Sequence, residues 1–168
     1  MLRILGIDPG INCGIALLTG ERGNQLEYLD HAPILKEGKQ RSINGRRLAE
    51  IFADLDPDIA VIEKVHAMPG QGVTSMFRFG RAVGTLEGLL SCLKVRLSYV
   101  SPQQWKRHFN LKADKEAARA AAVRMFPSHA SALARRKDVD RAEAVLIARW
   151  FFDTDLGVVF PRKRNEDG

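Results

Sequence analysis

Four carboxylates stand where an unpaired charge is hard to accommodate. Asp8 closes the apolar run Ile4-Leu5-Gly6-Ile7 and precedes Pro9-Gly10. An ionised carboxylate there needs a hydrogen bond, an opposite charge or a metal, although an Asp that caps its own turn is the plainer role. Glu63 interrupts the β-branched run IAVIEKV, residues 59–65. Its neighbour Lys64 points to the opposite face of a strand and is a poor partner. The third cluster, KDVDRAE at 137–143, opens an apolar helix. Acidic residues at a helix start also complement its dipole, but Asp140 and Glu143 are three apart and share one face. Two strand carboxylates meeting two helix carboxylates form an all-oxygen donor set of the kind Mg²⁺ or Mn²⁺ takes, with waters and phosphate oxygens completing the shell. Two such ions about 4 Å apart clamp the attacking and leaving oxygens of a phosphoryl displacement.

Cations surround these acids. Lys106, Arg107, Lys112 and Lys115 lie near helix starts, and Arg135, Arg136, Lys137 and Arg141 flank the acidic pairs. They form either a solvated basic face or a set of phosphate contacts. The net charge of +6 is uneven: residues 1–100 hold 12 Lys+Arg against 11 Asp+Glu, and residues 101–168 hold 14 against 9. A basic surplus in one part of a chain points to a polyanion. Phe77, Phe79 and Trp105 read mainly as core or interface. Within 66–79, Met68, Gln71 and Phe77 are the candidates to stack on or wedge between bases.

These residues need a scaffold. Residues 3–8 and 13–19 predict a hairpin around Pro9-Gly10-Ile11-Asn12. Residues 25–34 alternate as a third, edge-like strand with Pro33 near its end. Ile43, Leu48, Ile51, Phe52 and Leu55 sit at helical spacing over 43–55, and Asp56-Pro57-Asp58 stops that helix. Residues 59–65 predict a strand covered on both faces. A glycine-rich loop at 68–72 leads into a long helix over about 74–93, and 95–100 is another strand. Ser101-Pro102 starts a helix, and further helices cover about 113–126 and 139–152. The order β-β-β-α-β-α-β-α-α implies a mixed sheet with helices on its faces. One domain over 1–160 and a disordered tail over 161–168 are expected.

Composition narrows the classes. Hydrophobic residues make up 45% and charged residues 27% of 168, ordinary values for one compact domain. No apolar run approaches the ~18 residues of a membrane span. The acidic residue at position 8 comes too early for a signal-peptide apolar region, so a soluble cytoplasmic protein is expected. Cys13 and Cys92 form no CxxC pair and predict buried reduced thiols, without structural zinc.

The segments ILGIDPGINCGIA, VIEKVHAMPGQGVTSMFRFGRAVGTLEGLL, SPQQWKR, KADKEAAR and KDVDRAEAVLIA occur in this order. Together they resemble the RuvC family of Holliday junction resolvases, within the RNase H-like nucleases, over about residues 3–152. The resemblance implies an α/β fold with a five-stranded mixed sheet, its first three strands antiparallel, and a two-fold homodimer. It implies four acidic metal ligands: Asp8, Glu63, Asp140 and Glu143, with Asp138 as the alternative third. Asp140 is preferred because Asp138 is off the face of Glu143. Two family lysines that assist with DNA and the reacting phosphate match Lys106 and Lys115. The loop from His66 to Thr74 matches the segment that enters the junction.

The resemblance thus implies a Mg²⁺- or Mn²⁺-dependent endonuclease, with two ions per site, that resolves four-way or branched DNA by paired nicks. A branch-migration helicase would be its partner in a cell. The rival readings are a non-catalytic DNA-binding module, a nuclease for hybrid or flapped substrates, and an actin-like ATPase. The last needs a second lobe for which 168 residues leave no room. Gly80, Gly84 and Gly88, at four-residue spacing in the long helix, predict a shallow groove. It would seat either a symmetry mate or the chain's own final helices.

Overall fold

The fold is described from a computed structural model that covers residues 1–10, 12–38, 40–65, 70, 72–111 and 115–154, with Lys115 described by its backbone alone. Strand β1 (Ile4–Asp8) turns back into β2 (Gly14–Thr19), in register from Ile4 opposite Leu18 to Asp8 opposite Gly14. The Cys13 N–H donates to the Gly10 carbonyl at 3.2 Å and closes the turn. β3 (Gln25–His31) adds antiparallel to β2, with a shift of register between Leu17 and Leu18. This strand ends before Pro33, and the sequence that follows forms a separate two-stranded hairpin, β4 (Ile34–Glu37) with β5 (Gln40–Ile43). The expectation of one strand over 25–34 and a helix from 43 is corrected here. Pro33 cannot extend a ladder, and Ile43 is a strand residue.

Asn44 caps α1 (Gly45–Leu55), its side-chain oxygen accepting from the Arg47 N–H at 3.2 Å. β6 (Ile59–Glu63) then pairs parallel to β1, and β7 (Arg96–Val100) pairs parallel to β6. The five-stranded order is β3-β2-β1-β6-β7, with the first three strands antiparallel as expected. Between β6 and β7 runs α2 (Val73–Cys92). After β7 come α3 (Pro102–His108), α4 (Lys115–Met125) and α5 (Val139–Thr154). The three helices expected after the last strand are present, one more than the element order β-β-β-α-β-α-β-α-α allows for. Ser101 starts α3 as expected, through a capping box with Gln104. The expected tail at 161–168 lies outside the described residues.

Strand side chains alternate between two cores. Leu5, Ile7, Ile15, Leu17, Ala60 and Ile62 face α1 and α2, meeting Leu48, Phe52, Leu86 and Leu90. Ile4, Ala16, Leu18, Ile59 and Val61 face α5, meeting Val145, Ala148 and Phe152. Helix α5 lies unusually low on the sheet because two strand positions are glycine. A Cβ on Gly6 would strike the Ala144 carbonyl and come within 2.7 Å of the Ala148 nitrogen. One on Gly14 would strike the Asp140 carbonyl and come within 2.8 Å of the Arg141 nitrogen.

The groove of α2 faces away from the chain's own helices. Among the described residues nothing lies within 4 Å of a Cβ built on Gly80, Gly84 or Gly88, so α4 and α5 do not pack on it, contrary to the reading that seats the chain's own final helices there. Cys13 is buried as expected, but Cys92 is exposed because it ends α2 beyond the last residue buried on the sheet, Leu90. Among the described residues no helix is long and apolar enough to cross a membrane.

Candidate active site

Asp8 and Glu63 end parallel neighbouring strands, β1 and β6, where the register pairs Ile7 with Ile62. Counting by twos from Ile4 and Ile59, both fall on the α5 face. Asp140 and Glu143 occupy the first turn and a half of α5, directly over the strand ends that Gly14 leaves open. One carboxylate oxygen each from Asp8, Asp140 and Glu143 lie within 4.8 Å of one another. Glu63 stands beside this trio rather than in it. Its Oε1 accepts from the indole N–H of Trp105 at 2.7 Å, and Trp105 is wholly buried on α3.

The electrostatics follow from crowding acids in a partly dry place. Burial pushes the Asp8 carboxyl well above its ordinary range, and the negative charges of Glu143, Glu63 and Asp140 push it further, with a hydrogen bond shared with Glu143. Glu63 is also raised, by burial first and by Glu143, against the Trp105 hydrogen bond and Lys106, which lower it. Lys106 supplies a counter-charge: its Nζ is 3.4 Å from Glu143 Oε1 and 4.9 Å from the Trp105 ring centroid. All-oxygen donors that repel one another without a cation are the donor set of a hard divalent ion. The four acids fit Mg²⁺ or Mn²⁺ on that chemistry.

Asp138 is engaged elsewhere. It is wholly buried and accepts from the Arg135 N–H at 2.9 Å, from Arg135 Nε at 3.2 Å and from Arg141 Nη2 at 2.7 Å. Burial alone would raise its carboxyl, but the Arg135 hydrogen bonds and the Arg141 charge outweigh that and bring it down to about 2. It is the corner that anchors the loop before α5, and it holds Arg135 and Arg141 as structural partners. Arg141 also donates to the Ala132 carbonyl. His31, at the end of β3, lies close enough to this corner that burial and Arg141 lower its pKa.

Of the expected phosphate contacts, Arg107, Arg136 and Lys137 are exposed and make no ion pair among the described residues. Phe77 is 67% exposed on α2, not core, while Phe79 is half-buried. Met68, Gln71 and Lys112 lie outside the described residues. Lys115 begins α4, and its side chain lies outside them too. Sequence reasoning placed Trp105 among the core aromatics and missed its indole contact. The only signal was its position next to Lys106 in SPQQWKR.

No protein-family model matches the chain, and no curated protein is significantly similar to it in sequence. Solved structures are similar in fold. RuvC of Thermus thermophilus, in complex with a Holliday junction substrate, superposes with a TM-score of 0.69 at 17% identity, over 93% of this chain and 97% of that one. The fowlpox virus resolvase, with its substrate Holliday junction DNA, gives a TM-score of 0.57 at 15% identity, over 92% and 99%. The yeast mitochondrial Holliday junction resolvase gives 0.56 at 14% identity, over 90% and 79%. At these identities the likeness establishes a common fold.

Proposed function

We propose that this chain is a RuvC-like Holliday junction resolvase, a divalent-metal-dependent endonuclease that nicks four-way DNA in pairs. The observation that carries the reading is the carboxylate trio of Asp8, Asp140 and Glu143, with oxygens within 4.8 Å of one another. It sits on a fold shared with proteins solved on junction DNA. A module that only bound phosphates would gain nothing from acids gathered at its centre.

Asp8, Asp140, Glu143 and Glu63 would hold Mg²⁺ or Mn²⁺, two ions per site. When bound, such ions polarise the scissile phosphate and make a hydroxide nucleophile available at neutral pH. Trp105 fixes the Glu63 carboxylate by its indole hydrogen bond, so that acid keeps one orientation when substrate arrives. Lys106, beside Glu143, offsets charge that builds on the phosphate oxygens. Lys115 is given the same task by the sequence resemblance. Arg107, Arg136, Lys137 and Lys112 hold backbone phosphates, and Met68, Gln71 and Phe77 meet the bases at the crossover. Water attacks phosphorus in line with the 3′ oxygen and gives up a proton to solvent, the bond to that oxygen breaks, and the departing oxygen takes a proton from solvent, so the ends are 5′-phosphate and 3′-hydroxyl. A homodimer through the glycine face of α2 would place two such sites on symmetric strands.

The test is a substrate panel of four-way junction, flap, RNA–DNA hybrid and plain duplex, each with Mg²⁺, Mn²⁺, Ca²⁺ or EDTA. Paired nicks in the junction with Mg²⁺ or Mn²⁺, and binding alone with Ca²⁺, are expected. Asp8→Asn and Glu63→Gln should abolish cleavage while leaving junction binding intact. Robust cleavage in EDTA, or equal loss of binding and cleavage in both variants, would sink the assignment.

A further inference from the structure

A cavity of about 480 Å³ opens between the β4–β5 hairpin and α2, and none of the four carboxylates lines it. Arg41 comes from the hairpin, and Arg78 and Arg81 come from α2, one helical turn apart. The rest of the lining includes the half-buried apolar residues Ile34, Ile43 and Ala82, and a single acid, Glu37. Among the described residues the three arginines are poorly matched. Arg41 Nη2 makes one long hydrogen bond, 3.4 Å, to Asn12 Oδ1. Arg81 lies 5.9 Å from the Phe77 ring centroid. Among the described residues Arg78 has no hydrogen bond or ion pair. Three arginines lining an apolar hollow suit an anion that also presents an apolar face, because each guanidinium fork donates to two oxygens of a phosphate.

The cavity also reaches the strand end that carries Asp8. Gly10, two residues on, is part of its lining, and the Arg41–Asn12 bond ties the hairpin to the same turn. We propose that this cavity seats the sugar–phosphate backbone of the substrate strand on one side of the cleavage point, with Arg41, Arg78 and Arg81 on successive phosphates and the sugars against Ile34, Ile43 and Ala82. This rests on the nuclease reading above and adds to it a strand path that the basic residues of α3 and the α5 approach do not provide.

The experiment measures binding of the full chain to a four-way junction in Ca²⁺ across a range of salt, for the wild type and for the triple variant Arg41→Gln, Arg78→Gln, Arg81→Gln. Each phosphate contact contributes about 0.9 to the slope of log affinity against log salt, so the triple variant should be shallower by roughly 2.7. Over a fourfold rise in salt it should then lose roughly fortyfold less affinity than the wild type. Arg78→Gln alone, at an exposed helix position that leaves the fold untouched, should be shallower by about 0.9 and serves if the triple variant does not fold. A wild-type slope in these variants, with wild-type protein still nicking junctions, overturns the cavity assignment and leaves the nuclease reading standing. So does an unchanged DNA slope with lost binding to a poly-glutamate peptide, which would mark an acidic-peptide site. A wild-type protein that neither binds nor nicks branched DNA overturns both.

Discussion

Replacing Asp8 with Asn should make the metal-free protein more stable while removing its activity. Asp8, Asp140 and Glu143 bring oxygens within 4.8 Å. At that separation, with an effective dielectric constant between about 20 and 80, each ionised pair repels by roughly 0.9–3.5 kcal/mol. Asp8 escapes part of this by holding a proton, which is why its carboxyl is raised. The strain actually relieved by an amide is therefore about 1–3 kcal/mol. An Asn at position 8 can also donate to Glu143, keeping the hydrogen bond that the protonated Asp8 makes there without its charge. For a domain of this size ~2 kcal/mol moves Tm by about 4–8 °C.

The pH dependence has a definite sign. A carboxyl raised in the folded state supports folding fully below its unfolded value, and that support is lost as pH rises through the raised value. The variant's advantage should thus be absent below about pH 4, where the unfolded carboxyl is also protonated, and should open as pH rises. Mg²⁺ should reverse the order. At a hundred times its dissociation constant it stabilises the wild type by about 2.7 kcal/mol, more than the ~2 kcal/mol the amide relieves, and it should stabilise the Asn variant far less because one ligand is missing. Calorimetry in EDTA and in excess Mg²⁺, from pH 4 to pH 8, measures all of this. A variant that melts below the wild type in EDTA, or that gains as much from Mg²⁺, would refute the account of a repulsive cation site.

Two further substitutions separate structure from chemistry. Asp138→Asn should destabilise by about 1–3 kcal/mol, because it removes the buried charge that Arg135 and Arg141 share and leaves Arg141 with the Ala132 carbonyl and Asp30, whereas Asp140→Asn should lose nearly all cleavage with the fold retained. With the Asp138 carboxyl held at about 2, its contribution is present above about pH 4 and lost as pH falls through that value; loss of cleavage by Asp138→Asn in a fully folded protein would contradict this. Gly84→Glu meets nothing within 4 Å among the described residues of the protomer and should fold normally, yet sediment as a monomer that makes single nicks rather than paired ones. A dimer that survives the substitution would remove α2 as the interface.

Much of the site was legible because its acids interrupt apolar patterns. Asp8 and Glu63 each end a run whose other members are buried, and a charge at such a place is visible without coordinates. The choice between Asp138 and Asp140 followed from helical phase. What phase did not reveal is that Asp138 is wholly buried between two arginines, since nothing local distinguishes an anchoring acid from one of the gathered trio. The β4–β5 hairpin escaped because ILKE and QRSI offer only three apolar residues in eight, too few for alternation to register. Its consequence, the arginine-lined cavity, depends on bringing residue 41 to residues 78 and 81, which no local pattern encodes. The Trp105–Glu63 bond joins positions 42 apart and is hidden for the same reason.

The low seat of α5 bears on how such a site can change over time. Gly6 and Gly14 let the helix main chain rest against the strand main chain, so the gap between the Asp8 carboxylate and those of Asp140 and Glu143 is gauged by peptide groups, whose dimensions do not vary with sequence. Exchanging one aliphatic side chain for another elsewhere in the two cores alters packing around that gauge without resetting it. A methyl group at either glycine would wedge the helix upward at the acids themselves. Mutational drift can therefore be wide across the hydrophobic interior and narrow at two residues that carry no functional group at all.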